Sequence, residues 1–248
     1  MQNPSAILLV IGNEVLSAKV ADENGPFLAR RLHALGIRLL SIHTIPDDVE
    51  EIVAHLDRVR ARCSWVFTTG GVGPTHDDVT IEAVSRSLGR PLTRSPRLEE
   101  VFRAMHRRHH AGEEIPVAAL RMADVPSGTR LEGDPDYPTL VVENVVMLPG
   151  VPEFCRFQFE RFATALAASP FKLACVYVRL GEGPIAPLLD RVVADHPTVE
   201  IGSYPRFDGA DHRVKLTVES KDEARVIAAR DALVAALPPG AVVRVEGP

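Results

Sequence analysis

Along its first half the chain alternates short unbroken apolar runs with stretches whose apolar residues recur every three or four positions. The unbroken runs, Ser5 to Ile11, Arg38 to Ile45 and Trp65 to Phe67, read as strands, buried where both faces are apolar. Between the first two, Phe27, Leu28, Leu32 and Leu35 form a helical stripe that Pro26 opens and Gly36 ends. Asp47 or Asp48 caps the next helix, in which Val49, Ile52, Val53, Leu56 and Val59 keep the same spacing. Another helical pattern opens near Asp77, behind Gly70, Gly71 and Gly73. This rhythm predicts a parallel sheet with helices on both faces.

After Gly89 the pattern loosens. Ser95-Pro96 opens a helix reaching about His110, and Glu114 to Met122 is a shorter helical piece. Strands Leu140 to Val142 and Val145 to Leu148 turn at Glu143-Asn144, and Pro149-Gly-Val-Pro152 leads into a helix from Glu153 to Ala168. A first domain, 1–169, closes there. The remainder, 170–248, reads as strand Phe171 to Leu180, helix Pro184 to His196, strands Val199 to Tyr204 and Arg213 to Ser220, helix Lys221 to Leu237 and strand Ala241 to Glu246. That β-α-β-β-α-β order is the ferredoxin-like pattern of a small α+β domain.

Composition adds mainly exclusions. The net charge of −5 and the absence of a long basic run argue against a nucleic-acid partner. No apolar stretch approaches a membrane span, and the start lacks the charged region of a signal peptide, so a cytoplasmic location is expected. The cysteines, Cys63, Cys155 and Cys175, match no zinc spacing and read as small buried hydrophobes.

The candidate chemistry sits on loops that leave the carboxyl ends of the predicted strands, where open α/β sheets bind ligands. They are Gly12-Asn13-Glu14, Pro46-Asp47-Asp48, Gly70 to Asp78, and Pro149-Gly150-Val151-Pro152. Gly70, Gly71 and Gly73 allow a close backbone approach, and a following helix would aim amides at an anion. Thr68, Thr69 and Thr75 add hydroxyls, while no Lys-Ser/Thr pair makes this a Walker A loop. A helix needs one cap, so one of Asp77 and Asp78 is free for chemistry such as holding a divalent cation. Carboxylates and an amide nest on one rim suit a metal-assisted site for a diphosphate. The basic tip His106, Arg107, Arg108, His109 and His110 is explained by the helix dipole instead of a metal. Arg121 reaches either a phosphate or a surface salt bridge, and Gly202 to Pro205 reads as a turn.

Thr68-Thr-Gly-Gly-Val-Gly-Pro-Thr-His-Asp-Asp-Val-Thr80 resembles the motif of the molybdopterin-binding MoaB/Mog-like domain. With Ile11-Gly-Asn-Glu-Val-Leu16, Asp22-Glu-Asn24, Pro46-Asp-Asp48 and Leu148-Pro-Gly-Val-Pro152, the chain is similar to the amino-terminal part of the CinA (competence/damage-inducible protein A) family. Ile201-Gly-Ser-Tyr-Pro205 resembles its KH-like domain, and the nicotinamide-mononucleotide deamidase domain of longer members has no counterpart here. The resemblance implies a three-layer α/β/α domain followed by the small α+β domain, a homo-oligomer, with a dimer expected, and a pterin or nucleotide diphosphate as ligand. Two functional aspartates of the molybdenum-cofactor enzymes correspond to Asp47 and Asp78. Thr69, Gly70, Gly71, Gly73, Pro74, Thr75, Asp77, Asn24, Pro149 and Gly150 fall on ligand-binding positions. The CinA-type branch, and a related domain fused to FAD synthase, imply a pyrophosphatase using Mg²⁺, Mn²⁺ or Co²⁺ on ADP-ribose or FAD. Asp78 and Glu14 would then hold the metal, and Asp47 would orient water or complete the metal shell. The alternatives are AMP transfer to molybdopterin and a binding module without catalysis. Asn13 stands where many relatives carry Asp, which keeps the last alternative open. The helices carrying Leu98, Val101, Phe102 and Met105 are expected to form the contact between subunits.

Overall fold

A computed structural model describes residues 4–110, 113–166, 168–207 and 211–248, apart from the His109 side chain, so that part of the basic tip lies outside the described residues. The chain divides into two compact units, Met1–Ala168 and Ser169–Pro248.

The first unit runs β1 (Ser5–Ile11), α1 (Asn13–Leu16), α2 (Asn24–Ala34), β2 (Arg38–Ile45), α3 (Val49–Val59), β3 (Trp65–Thr69), α4 (Thr80–Ser87), β4 (Leu92–Arg94), α5 (Pro96–His109), α6 (Val117–Arg121), β5 (Asp124–Pro126), β6 (Arg130–Gly133), β7 (Pro138–Val142), β8 (Val145–Leu148) and α7 (Pro152–Ala163). The main sheet has the order β2-β1-β3-β8-β7-β6. Strand β1 shows why an unbroken apolar run is needed at the centre. Ala6, Leu8 and Val10 pack with Leu28, Leu32, Phe67 and Phe159 on one face, while Ile7, Leu9 and Ile11 meet Ile52, Leu56 and Val84 on the other. The result is a three-layer α/β/α arrangement.

The expectation of a parallel sheet is corrected in part. Strands β2, β1, β3 and β8 run parallel, but β7 is antiparallel to them, and β6 at the edge pairs antiparallel with β7. The turn at Glu143, which has a positive φ of 51°, forces that return. Glu14 lies on α1, which the sequence reading missed, as it missed β4, β5 and β6; none of these is long enough to show a period.

Of the stripe on α5, Leu98 is buried against Ala123 and Val125, and Val101 is buried too, so these two residues turn inward.

In the second unit β9 (Lys172–Val178), α8 (Glu182–Asp195), β10 (Glu200–Pro205), β11 (Val214–Ser220), α9 (Glu223–Ala236) and β12 (Val242–Glu246) follow the expected β-α-β-β-α-β order. Its sheet, β10-β11-β9-β12, is antiparallel throughout. Gly202 to Pro205 is strand here, not turn. The cysteines are free thiols, and burial pushes Cys155 up to about 12. Among the described residues no helix is long and apolar enough to cross a membrane.

Candidate functional site

Strand β1 is followed in space by β2 on one side and β3 on the other, so the strand order reverses at its carboxyl end. That is where a crevice opens in such sheets. The loops after the four parallel strands interlock there. The Gly12 N–H donates to the Ile45 carbonyl at 3.1 Å and the Gly70 N–H to the Leu148 carbonyl at 3.1 Å. Gly70, at φ +95°, sits so close to the Ile11 carbonyl that a Cβ would collide with it. A Cβ on Gly150 would lie 3.2 Å from Gly70 Cα. Gly70 is therefore demanded by backbone packing before any ligand is considered.

Asp48 caps α3, its carboxylate accepting from the Glu51 N–H at 3.0 Å. Asp47 is thereby released from capping and accepts from the Asn13 N–H at 2.7 Å, tying the first two loops together. The bond uses the backbone of residue 13, so Asn serves it as well as Asp would. Neither Asp77 nor Asp78 is a helix cap, contrary to expectation. Helix α4 starts only at Thr80 with Val79 before it, and Asp78 instead turns back to accept from the Thr75 N–H at 2.8 Å and from the Thr75 hydroxyl. Thr80 closes the loop by donating from its hydroxyl to the Gly70 carbonyl at 2.8 Å.

A cavity of about 680 Å³ opens over these loops. Glu14, Asp47, Gly70, Gly71, Gly73, Pro74, Thr75, Asp77, Asp78, Pro149 and Gly150 all line it, so most of the residues singled out in the sequence come together. Two do not. Thr69 is buried within β3 between Val10 and Leu148. Asn24 is buried beneath the loop and donates from Nδ2 to the Gly150 carbonyl at 2.8 Å, so it positions a lining residue without reaching the cavity. The amide nest is also narrower than expected. The N–H groups of Gly70 and Thr75 are used internally, by the Leu148 carbonyl and the Asp78 carboxylate.

Burial is the main reason that the Asp47 carboxyl titrates above the usual range; Glu14, Asp77 and Asp78 add repulsion, while the Asn13 N–H opposes the shift. The exposed Asp77 carboxyl is held below that range first by the Thr75 hydroxyl. A divalent cation suits this set of hard, mutually repelling oxygen donors. Among the described residues, however, no three such side chains converge as a ready ligand group.

Another part of the lining was not read from the sequence as a ligand surface. It is apolar and aromatic, built from Phe102 and Met105 of α5, Tyr137 before β7, and Phe154 and Phe157 of α7. The only sequence signal was an excess of aromatics on α7 beyond those its core face needs: Phe159 and Phe162 are buried, whereas Phe154 is 51% exposed.

Comparison with known proteins agrees with this architecture. Residues 7–168 match the family model described as "Probable molybdopterin binding domain", and residues 170–246 match "FAD synthase, middle domain". A protein of Archaeoglobus fulgidus is 33% identical, over 88% of this chain and 96% of its own length. A probable FAD synthase of Caenorhabditis elegans is 30% identical over 94% of this chain, which spans 50% of that relative's length. A CinA-like protein of Thermomicrobium roseum is 33% identical over 88% of this chain and 55% of its own. The crystal structure of CinA from Thermoplasma acidophilum, a protein described as of unknown function, superposes with a TM-score of 0.58 at 25% identity, covering 66% of this chain and 98% of that one. The first unit, with its strand-end glycine loop and rim of carboxylates, belongs to the family of probable molybdopterin binding domains, of MoaB/Mog-like fold.

Proposed function

We propose that the cavity binds a nucleotide or pterin diphosphate, and that the chain is a metal-dependent pyrophosphatase acting on a nucleoside diphosphate derivative such as ADP-ribose or FAD. The observation that carries this reading is the charge of the lining. It includes Glu14, Asp47, Asp77, Asp78 and Asp136 and, among the described residues, no Lys or Arg. A diphosphate cannot enter such a surface without a cation to compensate it. Asp78 and Glu14 are the residues to hold one, and a divalent cation is commonly held by one or two carboxylates plus the phosphate oxygens themselves. This accounts for a site with fewer than three converging protein ligands. When bound, the cation supplies charge neutralisation and polarises phosphorus.

The chain's own groups do the rest. The amides of Gly71, Val72 and Gly73 bind a phosphate oxygen. Asp47, less acidic than an ordinary aspartate, accepts the proton of a water whose oxygen attacks phosphorus, while the bridging oxygen leaves with the departing monophosphate.

The family description favours a second reading, transfer of AMP to molybdopterin, with the same loop holding the adenylate. One set of incubations separates them: ADP-ribose, FAD and NAD with Mg²⁺, Mn²⁺ or Co²⁺, and molybdopterin with ATP. Release of AMP together with ribose 5-phosphate or FMN is expected. Adenylylated molybdopterin alone would establish the second reading, and binding without turnover of any mixture would leave a ligand-binding module.

A further inference from the structure

Surface aromatics on one helix normally have no common purpose. Those on α7 share one. Phe154 and Phe157 line the cavity together with Tyr137, whose ring is nearly parallel to that of Phe154 (16°, centroids 6.4 Å apart) and edge-on to that of Phe157 (5.8 Å). The set is braced from behind. Arg161 lies 5.1 Å over the Phe157 ring and 3.8 Å from Asp134. The Asp134 carboxylate in turn accepts from the N–H groups of Asp136 at 2.9 Å and Tyr137 at 3.2 Å, fixing the turn that carries Tyr137.

Gln158 adds direction to this wall. It lines the same cavity, and its Nε2 donates to the Pro138 carbonyl at 3.2 Å. A carbonyl can only accept, so the amide is oriented with Oε1 left as an acceptor.

We propose that this wall is a recognition subsite for a planar heteroaromatic ring bearing an N–H or NH₂ donor, the ring stacking against the Tyr137–Phe154 pair and donating to Gln158 Oε1. The inference rests on the reading of the cavity as a diphosphate site: the ring is the other end of the molecule whose phosphates meet the carboxylate rim. It adds that affinity for the ring is separable from the phosphate chemistry. A flat ring is matched by rigid aromatic faces at small entropic loss, whereas an aliphatic ligand would gain burial but no stacking.

The test uses half-ligands and calorimetry on the full chain. Adenosine and riboflavin carry rings without phosphate, and pyrophosphate with Mn²⁺ carries phosphate without a ring. The wild type is expected to bind a ring probe without metal. Phe154→Ala should weaken that binding about tenfold, within the range found for loss of one base–aromatic stack. It should leave pyrophosphate with Mn²⁺ unchanged. Asp78→Ala should do the reverse, so failure of the catalytic reading leaves the ring subsite standing or falling by itself. Gln158→Leu should weaken adenosine more than N6,N6-dimethyladenosine, which lacks the donor. Because Phe154 is half exposed, its replacement does not endanger the fold. Wild-type ring affinity in Phe154→Ala, or no ring binding by the wild type, would overturn the proposal. A change in sedimentation instead of ring affinity would overturn it too, by assigning the wall to a second copy of the chain.

Discussion

At the scale of single residues, the loop around Asp78 makes a sharp distinction between glycines. Gly71 has a φ of +66° and its missing Cβ would collide with the Thr80 hydroxyl, so Gly71→Ala combines strain with a clash inside the fold. It is expected to destabilise by ~1–3 kcal/mol and reports poorly on binding. Gly73 has no positive φ, and the nearest atoms a Cβ there would meet are those of the Asp78 carboxylate, 2.6 Å from Oδ2. Gly73→Ala should therefore keep its melting temperature to within a few degrees yet reproduce the loss of turnover of Asp78→Ala, which is expected to be at least ~100-fold. Unimpaired turnover in both variants at saturating metal would remove Asp78 from the chemistry. Asp47 gives a prediction with the opposite sign for stability. Its folded carboxyl lies above its unfolded value, so deprotonation is harder in the folded state, and the group subtracts from stability once pH rises through the raised value. Below the unfolded value it subtracts nothing. Asp47→Asn keeps an acceptor for the Asn13 N–H, and urea titration should show it slightly more stable than wild type, by up to ~0.5 kcal/mol at pH 7 and not at pH 3. Activity should fall at pH 7, where the wild-type carboxylate can accept a proton.

At the scale of elements, the neighbouring aspartates before α3 divide their labour by geometry. Asp48 alone has its carboxylate on the Glu51 N–H. Asp48→Ala is thus expected to lose ~1 kcal/mol in urea unfolding, the usual worth of an N-cap, while Asp77→Ala at the start of the α4 loop loses little because no helix end depends on it. Similar losses for the two would show that Asp77 is a structural cap after all. Helix α5 teaches a related lesson about stripes. Leu98, Val101, Phe102 and Met105 have the spacing of a buried face, and they are partly that, with Leu98 in a small core of its own and all four on the cavity wall. Helical spacing says that a face is covered. It is silent on whether the cover is a sheet, a second subunit or a ligand.

At the scale of the whole molecule, each unit has its own closed core. The clusters around β1 belong wholly to the first unit, and Ala174, Val176, Leu216, Val226 and Leu233 belong to one confined to the second. A fragment comprising residues 1–168 contains every residue that lines the cavity. It is expected to unfold cooperatively and to bind the ring probe and pyrophosphate with Mn²⁺ as the full chain does. A folded fragment that has lost binding would mean that the second unit contributes to the site.

Sequence alone determined the elements whose burial repeats. The run Ala6 to Ile11 can only be a strand covered on both faces, and the β-α-β-β-α-β tail follows from six segments of clear period. It also placed Glu14, Asp47, Asp78 and the glycines on one rim, because parallel strands put the loops that follow them at the same end. Tertiary structure decided what each of those residues does. Whether Asp47 or Asp48 caps α3, whether Asp78 caps anything, and whether Asn24 touches ligand or the Gly150 carbonyl depend on which backbone groups come within about 3 Å, a distance that no spacing encodes. The aromatic wall was beyond reach for the same reason. Tyr137 and Phe154 are far apart in the chain and meet only because the antiparallel return of β7 sets the turn before it against α7. Local periodicity records how one segment is covered; a site made from the edges of several segments exists only once they are packed.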